Sequence, residues 1–355
     1  MSTMEELENV QESSQPTSEE SSQPTSESYG SSITPKSTSD WDSHFVDELG
    51  VESTEAGMID IILKEWHLAG VPPSEIKEIE ATVEACLIED LDKAFENMTV
   101  SEFNRDKFGL NRSEMAKIDN KHPHLKKTFV PNILHFTFAL ERIFIDCLAK
   151  REISEGKYEL LFENLLKSFG FFTLNHSHIG VEKSMIRGKT MSSKADILCI
   201  RRKPLMEKEI ICVCQVKKSL KVEDPDFSPQ RKKLRSSNTE EPGCSYKGDA
   251  AVYAQHIGEL FVYFHQSVSP RGILGFTIEK TWVRVTYLEV QDSAWDKIRK
   301  PANRGGSVKY EATEKCPQFK YSRRYNILDP SDRRVLFKAL FLIQTMLEPK
   351  TSLNL

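Results

Sequence analysis

The chain contains no apolar run of the roughly 18 residues that a bilayer-spanning helix needs. Its first residues are acidic, where a secretory leader is basic and then apolar. A soluble intracellular protein without a membrane partner is therefore expected. Cysteine is sparse and irregular, with seven residues at 86, 147, 199, 212, 214, 244 and 316 and no repeated spacing. A disulfide framework is excluded on that ground, and no C-x-x-C pair offers a zinc site. The near pair, Cys212 and Cys214, reads as small buried hydrophobes on one strand face; a zinc set completed by His176 and His178 is the alternative. A G-x-x-x-x-G-K-[ST] phosphate loop is also lacking, and Gly305-Gly306 reads as an ordinary loop.

What is present divides the chain unevenly. Its 355 residues, 39% hydrophobic and 28% charged, leave room for one large or two modest domains plus a tail. Residues 1–50 are rich in Ser, Thr, Glu, Gln and Pro, and the heptapeptide SSQPTSE occurs at 13–19 and again at 21–27. Such a segment buries too little apolar surface to offset its ordering entropy, so a disordered acidic tail is expected. Residues 1–60 carry fourteen acidic side chains against one lysine; with a formal net charge of −5 for the whole chain, the remainder carries +8. A basic body favours a polyanionic partner such as nucleic acid, and it also serves plain solubility.

Residues 51–128 read as a helical module. Met58, Ile59, Ile62, Leu63 and Trp66 recur at helical steps, and Ser74 is expected to cap a second helix through Phe95. The stripe of that second helix, Ile76 to Leu91, is expected to bury against the first helix or against a protein partner. A shorter helix is expected within 99–115, then a polar connector over 117–127.

Residues 129–355 read as an α/β domain, a mixed central sheet flanked by helices. Pro131 opens an apolar helix to about Lys150, and a second amphipathic helix covers 158–169. Further helices are expected at 249–266 and 332–346, with a hairpin over 272–290. Residues 223–247, containing Arg231-Lys232-Lys233-Leu234-Arg235, are expected to form a disordered basic loop that resembles a nuclear-import signal and equally a phosphate-binding patch. The nucleus, with the cytoplasm as a further compartment, is the expected location.

The stretch with the most chemistry runs from Lys194 to Lys218. KADILCI and EIICVCQVKK read as two apolar strands joined across the basic turn Arg201, Arg202, Lys203, Pro204. Asp196 stands in a strand that otherwise reads as buried, where a carboxylate is expensive unless it is paired or binds a cation. Gln215 and Lys217 share one strand face. A hairpin brings Asp196 near both.

The order Asp196, turn, Gln215-Val216-Lys217 resembles the PD-(D/E)XK nuclease superfamily, the restriction-endonuclease-like fold. Ala195 stands where that family's name has Pro, and Gln215 where it more often has Asp or Glu. The resemblance covers the second half of the chain. It implies a Mg²⁺ or Mn²⁺ ion held by Asp196, the Gln215 oxygen and an acid from the preceding helix, Glu159 or Glu163, with Lys217 positioning water. It also implies nucleic-acid contacts from Lys218, Arg201, Arg202 and, on the following helix, Gln255. The implied activity is hydrolysis of phosphodiester bonds in DNA or structured nucleic acid. A catalytically silent nuclease-like binding module and a purely structural interaction protein are the alternatives.

Overall fold

The structure is a computed structural model; it describes residues 35–68, 70–84, 88–98, 109–121, 128–202, 208–218, 250–301 and 306–345. In chain order the elements are α1 (Ser43–Glu48), β1 (Glu52–Glu55), α2 (Met58–Leu68), α3 (Pro73–Val83), α4 (Glu89–Ala94), α5 (Arg112–Lys121), α6 (Phe129–Leu148), α7 (Glu155–Ser168) and β2 (Phe172–Asn175). There follow β3 (Glu182–Ile186), β4 (Lys189–Ser193), β5 (Ile197–Arg202), β6 (Lys208–Lys217), α8 (Ala250–Tyr263), β7 (Gly272–Glu279), β8 (Trp282–Glu289), α9 (Asp292–Arg299), β9 (Gln318–Tyr321), β10 (Tyr325–Asn326) and α10 (Pro330–Thr345).

The eight-stranded sheet runs β1-β9-β8-β7-β6-β5-β2, with β10 also on β8. Strands β6 and β7 are parallel, as are β1 and β9. The remaining pairs are antiparallel. The α/β class with a mixed sheet flanked by helices is thus as read from the sequence. Both faces are covered, which is why β5 and β6 are apolar almost throughout. On one face Ile197, Cys199, Cys212, Cys214 and Val216 pack with the α2, α6, α7 and α10 side chains. On the other, Leu198, Ile200, Ile210 and Val213 pack with α1, α8, α9 and the β3-β4 hairpin.

Two expected boundaries are corrected. Residues 51–128 are not a separate module: β1 lies in the main sheet beside β9, and Met58, Ile61, Ile62, Leu91 and Phe95 share a core with Phe276 and Leu340. Arg333 of α10 secures this union, its guanidinium donating to the carbonyls of Phe95 and Met98 at 2.9 Å and of Ile327 at 3.1 Å. The expected disordered tail does not run to residue 50, because Trp41, Phe45, Val46 and Leu49 are buried. Trp41 lies so close to Gly258 of α8 that a Cβ there would stand 2.8 Å from its indole ring. The described residues fall in one compact unit. The rest of the expected tail, the residues before 35, lies outside the described residues, as does the basic 223–247 segment.

The ends of two helices place the chain for the site. Helix α7 closes with Gly170 at φ +84°, its N–H on the Lys167 carbonyl and that of Phe171 on the Leu166 carbonyl. The same cap ends α6, but with Lys150 in the left-handed conformation at φ +52°, so that the chain turns at once toward Glu152 and Glu155. Among the described residues, no helix is long and apolar enough to cross a membrane.

Candidate active site

In the β5-β6 pair Ile197 lies opposite Cys214, so the antiparallel register sets Asp196 against Gln215. The Asp196 carboxylate accepts the N–H of Val216 at 2.7 Å. Side chains alternate between faces, and Leu198 and Val213 belong to the α8 side while Ile197 and Cys214 belong to the other. Asp196, Gln215 and Lys217 therefore share the α8 face at one end of the strands. Asp196 is half-buried, Gln215 is fully buried, and the Lys217 side chain is 25% exposed.

Helix α8 carries the expected Gln255 and adds Glu259 and His256, which the sequence does not mark as site residues. Gln255 donates its amide to Glu259 Oε1 at 2.9 Å, so its side chain is committed within the helix. Glu259 is buried, and its second oxygen has no hydrogen-bond partner among the described residues; nor has either polar atom of the Gln215 amide. Burial, reinforced by the charge of Glu259, pushes Asp196 up to about 7, against the opposing effects of the Val216 N–H and Lys217. Burial pushes Glu259 up to about 8, against Gln255 and Lys217. Burial, with Lys217 adding to it, holds His256 down at about 3. His256 is therefore a neutral group bonded to Thr286 Oγ1 at 2.8 Å, and its 3.8 Å approach to Glu259 is no ion pair.

Three acids lie on the preceding helix α7, Glu155, Glu159 and Glu163. Glu155, in the first turn of α7, lies 3.9 Å from Lys217 Nζ and accepts the Lys218 N–H at 3.4 Å. Glu159 accepts the His176 N–H at 3.3 Å. Glu163 is buried against Thr173, Asn175 and Lys167. All three acids stand four residues apart on one helical stripe, and only its N-terminal member reaches the Lys217 end of β6.

Lys218 adjoins the site but is ion-paired with Glu152. Arg201 and Arg202 do not converge on it. They occupy the far end of β5, on the order of 16 Å along the strand from Asp196, and Arg201 faces Glu209 at 3.5 Å. Cys212 and Cys214 join Cys199 rather than the histidines, three buried thiols within 4.8 Å of one another on the α7 side. Burial holds Cys199 and Cys214 well above the ordinary thiol range, while Cys212, against its burial, is pulled down to about 5 by hydrogen bonds from the other two thiols.

A hard divalent cation takes oxygen ligands and keeps several waters. Asp196, the unbonded Gln215 oxygen and the unbonded Glu259 oxygen are donors of the chemical kind that Mg²⁺ or Mn²⁺ takes. Beside them a cavity is lined by Lys217, Tyr253, Glu279, Trp282, Arg284 and Arg324. The Arg284 guanidinium lies 5.3 Å over the Tyr253 ring. Arg324 is ion-paired with Glu279 at 3.1 Å. No protein-family model, no curated protein and no solved structure matches this chain.

Proposed function

We propose that the protein is a metal-dependent phosphodiesterase of the restriction-endonuclease-like class, acting on DNA or structured nucleic acid. The observation that carries this reading is the shared face of Asp196, Gln215 and Lys217, together with the partnerless oxygens of Gln215 and Glu259 beside them. The mixed sheet, in which β2, β5 and β6 pair antiparallel and β6 pairs with β7 in parallel between helices α7 and α8, agrees with the α/β class expected from the sequence.

Asp196 and Glu259, with the Gln215 oxygen, would hold the cation, which when bound would supply Lewis acidity toward a phosphoryl oxygen. Lys217, next to Glu155, orients the attacking water and offsets charge on the phosphate. Gln255 fixes one Glu259 oxygen and leaves the other toward the site. Tyr253, Trp282 and Arg284 receive the strand. Entry into the nucleus through Arg231 to Arg235 belongs to the same reading.

One observation favours a second reading, a catalytically silent module that binds nucleic acid. Gln215 is fully buried and carries no charge where an acid would strengthen cation binding. Nicking of plasmid and branched DNA separates the two. Cleavage with magnesium or manganese that falls roughly a hundredfold or more in Asp196→Ala and Lys217→Ala supports catalysis. Salt-sensitive binding without cleavage by any of the three proteins supports the silent module.

A further inference from the structure

The β3-β4 hairpin turns on Arg187-Gly188, both in the left-handed region at φ +55° and +72°. Two such residues make the tight hairpin turn whose twist matches the strands. Gly188 is required there, since a Cβ would lie 2.8 Å from Pro301 Cα. Arg187 is not a residue that favours this conformation, because its Cβ crowds the backbone there. The turn is nevertheless fixed: the Arg187 N–H donates to the Ile298 carbonyl at 2.7 Å and the Gly188 N–H to that of Arg299 at 2.9 Å. The guanidinium donates to the Gly306 carbonyl at 2.5 Å.

The side chain fixed in this way is a buried cation. Arg187 is only 6% exposed, and among the described residues it has no carboxylate partner. A guanidinium has five N–H donors, of which a single carbonyl satisfies a small part. Buried charges are ordinarily paired. Arg187 lines a cavity of about 440 Å³ together with Lys297, Lys300, Lys309 and Ser307, and among the described residues no acid lines it. Lys297 is paired with Glu314, whereas Lys300 and Lys309 have no ionic partner among the described residues. The hairpin thus delivers a preorganised guanidinium to the floor of a cavity rimmed by ammonium groups. Neither the proposed catalytic residues nor the Tyr253 cavity accounts for it.

We propose that this cavity binds a phosphate group, with Arg187 as the bidentate donor and Lys300 and Lys309 as the charges at its mouth. A phosphate accepts paired N–H bonds from a guanidinium and is held by lysine as a point charge. The phosphate comes either from a nucleic-acid backbone or from a free phosphate compound. The proposal does not depend on catalysis at Asp196.

The test uses the full chain in chelator, without divalent metal, so that it does not read the proposed active site. Wild type, Lys300→Glu with Lys309→Glu, and Arg187→Met are titrated with a labelled DNA duplex at several salt concentrations and, separately, with inorganic phosphate followed by phosphorus NMR. The two rim lysines are exposed, so their variant keeps the proposal testable even where Arg187→Met disturbs the hairpin. If the source is a nucleic-acid backbone, the lysine variant binds duplex roughly tenfold or more weakly, and the slope of log affinity against log salt falls by about 2. If the source is a free phosphate compound, inorganic phosphate binds wild type and not the variants, and duplex binding is unchanged. Unchanged behaviour of the lysine variant toward both ligands overturns the proposal.

Discussion

Asp196 and Val216 are joined by a 2.7 Å bond from backbone N–H to carboxylate. The bond lands on the residue between Gln215 and Lys217, and so fixes the position of the carboxylate relative to both. Asp196 cannot move away from the pair without giving up a charge-assisted hydrogen bond in a half-buried setting.

The two raised carboxyls give the fold a pH dependence of definite sign. Asp196 is pushed up to about 7 from 3.8, and Glu259 to about 8 from 4.5. Between about pH 4 and pH 8 the folded state therefore holds protons that the unfolded chain has released, and these two groups make stability fall as pH rises through that window. Bound cation favours the ionised carboxylates and opposes the loss. Thermal melts of metal-free protein should show Tm falling from about pH 5.5 to pH 8, less steeply in Glu259→Gln, with a larger Tm gain from manganese at the upper pH. A profile unchanged by Glu259→Gln would contradict the assignment.

Arg333 holds the N-terminal helices to α10 through the carbonyls of Phe95, Met98 and Ile327. Burial pulls its pKa down to about 10, so it remains charged at neutral pH. Arg333→Met leaves several buried acceptors without donors and should destabilise by about 3 kcal/mol or more, measured by urea unfolding. A loss under about 1 kcal/mol would mean that these carbonyls find other donors.

Lys150 occupies the C′ position of α6 at φ +52°. Glycine adopts this conformation without steric cost but loses more chain entropy on folding, so Lys150→Gly should stabilise by roughly 0.5–1 kcal/mol. Destabilisation in the same unfolding assay would show that the lysine side chain makes a compensating contact.

The residues legible in the sequence were those governed by a short period. Asp196, Gln215 and Lys217 could be placed together because two strands joined by a short turn leave few registers, and a period of two sets the faces. Glu155 is not legible in this way, because the apolar pattern of α7 starts only at Tyr158 and leaves the first acid outside the stripe it shares with Glu159 and Glu163. Glu259 gave the same signal as Asp196, a carboxylate between Ile257, Leu260 and Phe261, but in a helix an acid usually marks the solvated face. Strand β1 is Glu-Ser-Thr-Glu with every residue exposed, an edge strand defined by its pairing and not by a pattern. The β3-β4 hairpin is similarly polar, and the eight residues of α9 are too few for a convincing period.

The proposed oxygen cluster for a divalent cation consists of Asp196, Gln215 and Glu259. Isothermal calorimetry of manganese binding to wild type, Asp196→Ala and Gln215→Glu tests it directly. The expected result is weak binding by wild type, no binding by Asp196→Ala, and roughly tenfold or tighter binding by Gln215→Glu, because hard cations respond to ligand charge. Absence of manganese binding in both the wild type and Gln215→Glu, with each folded by circular dichroism, would contradict the claim.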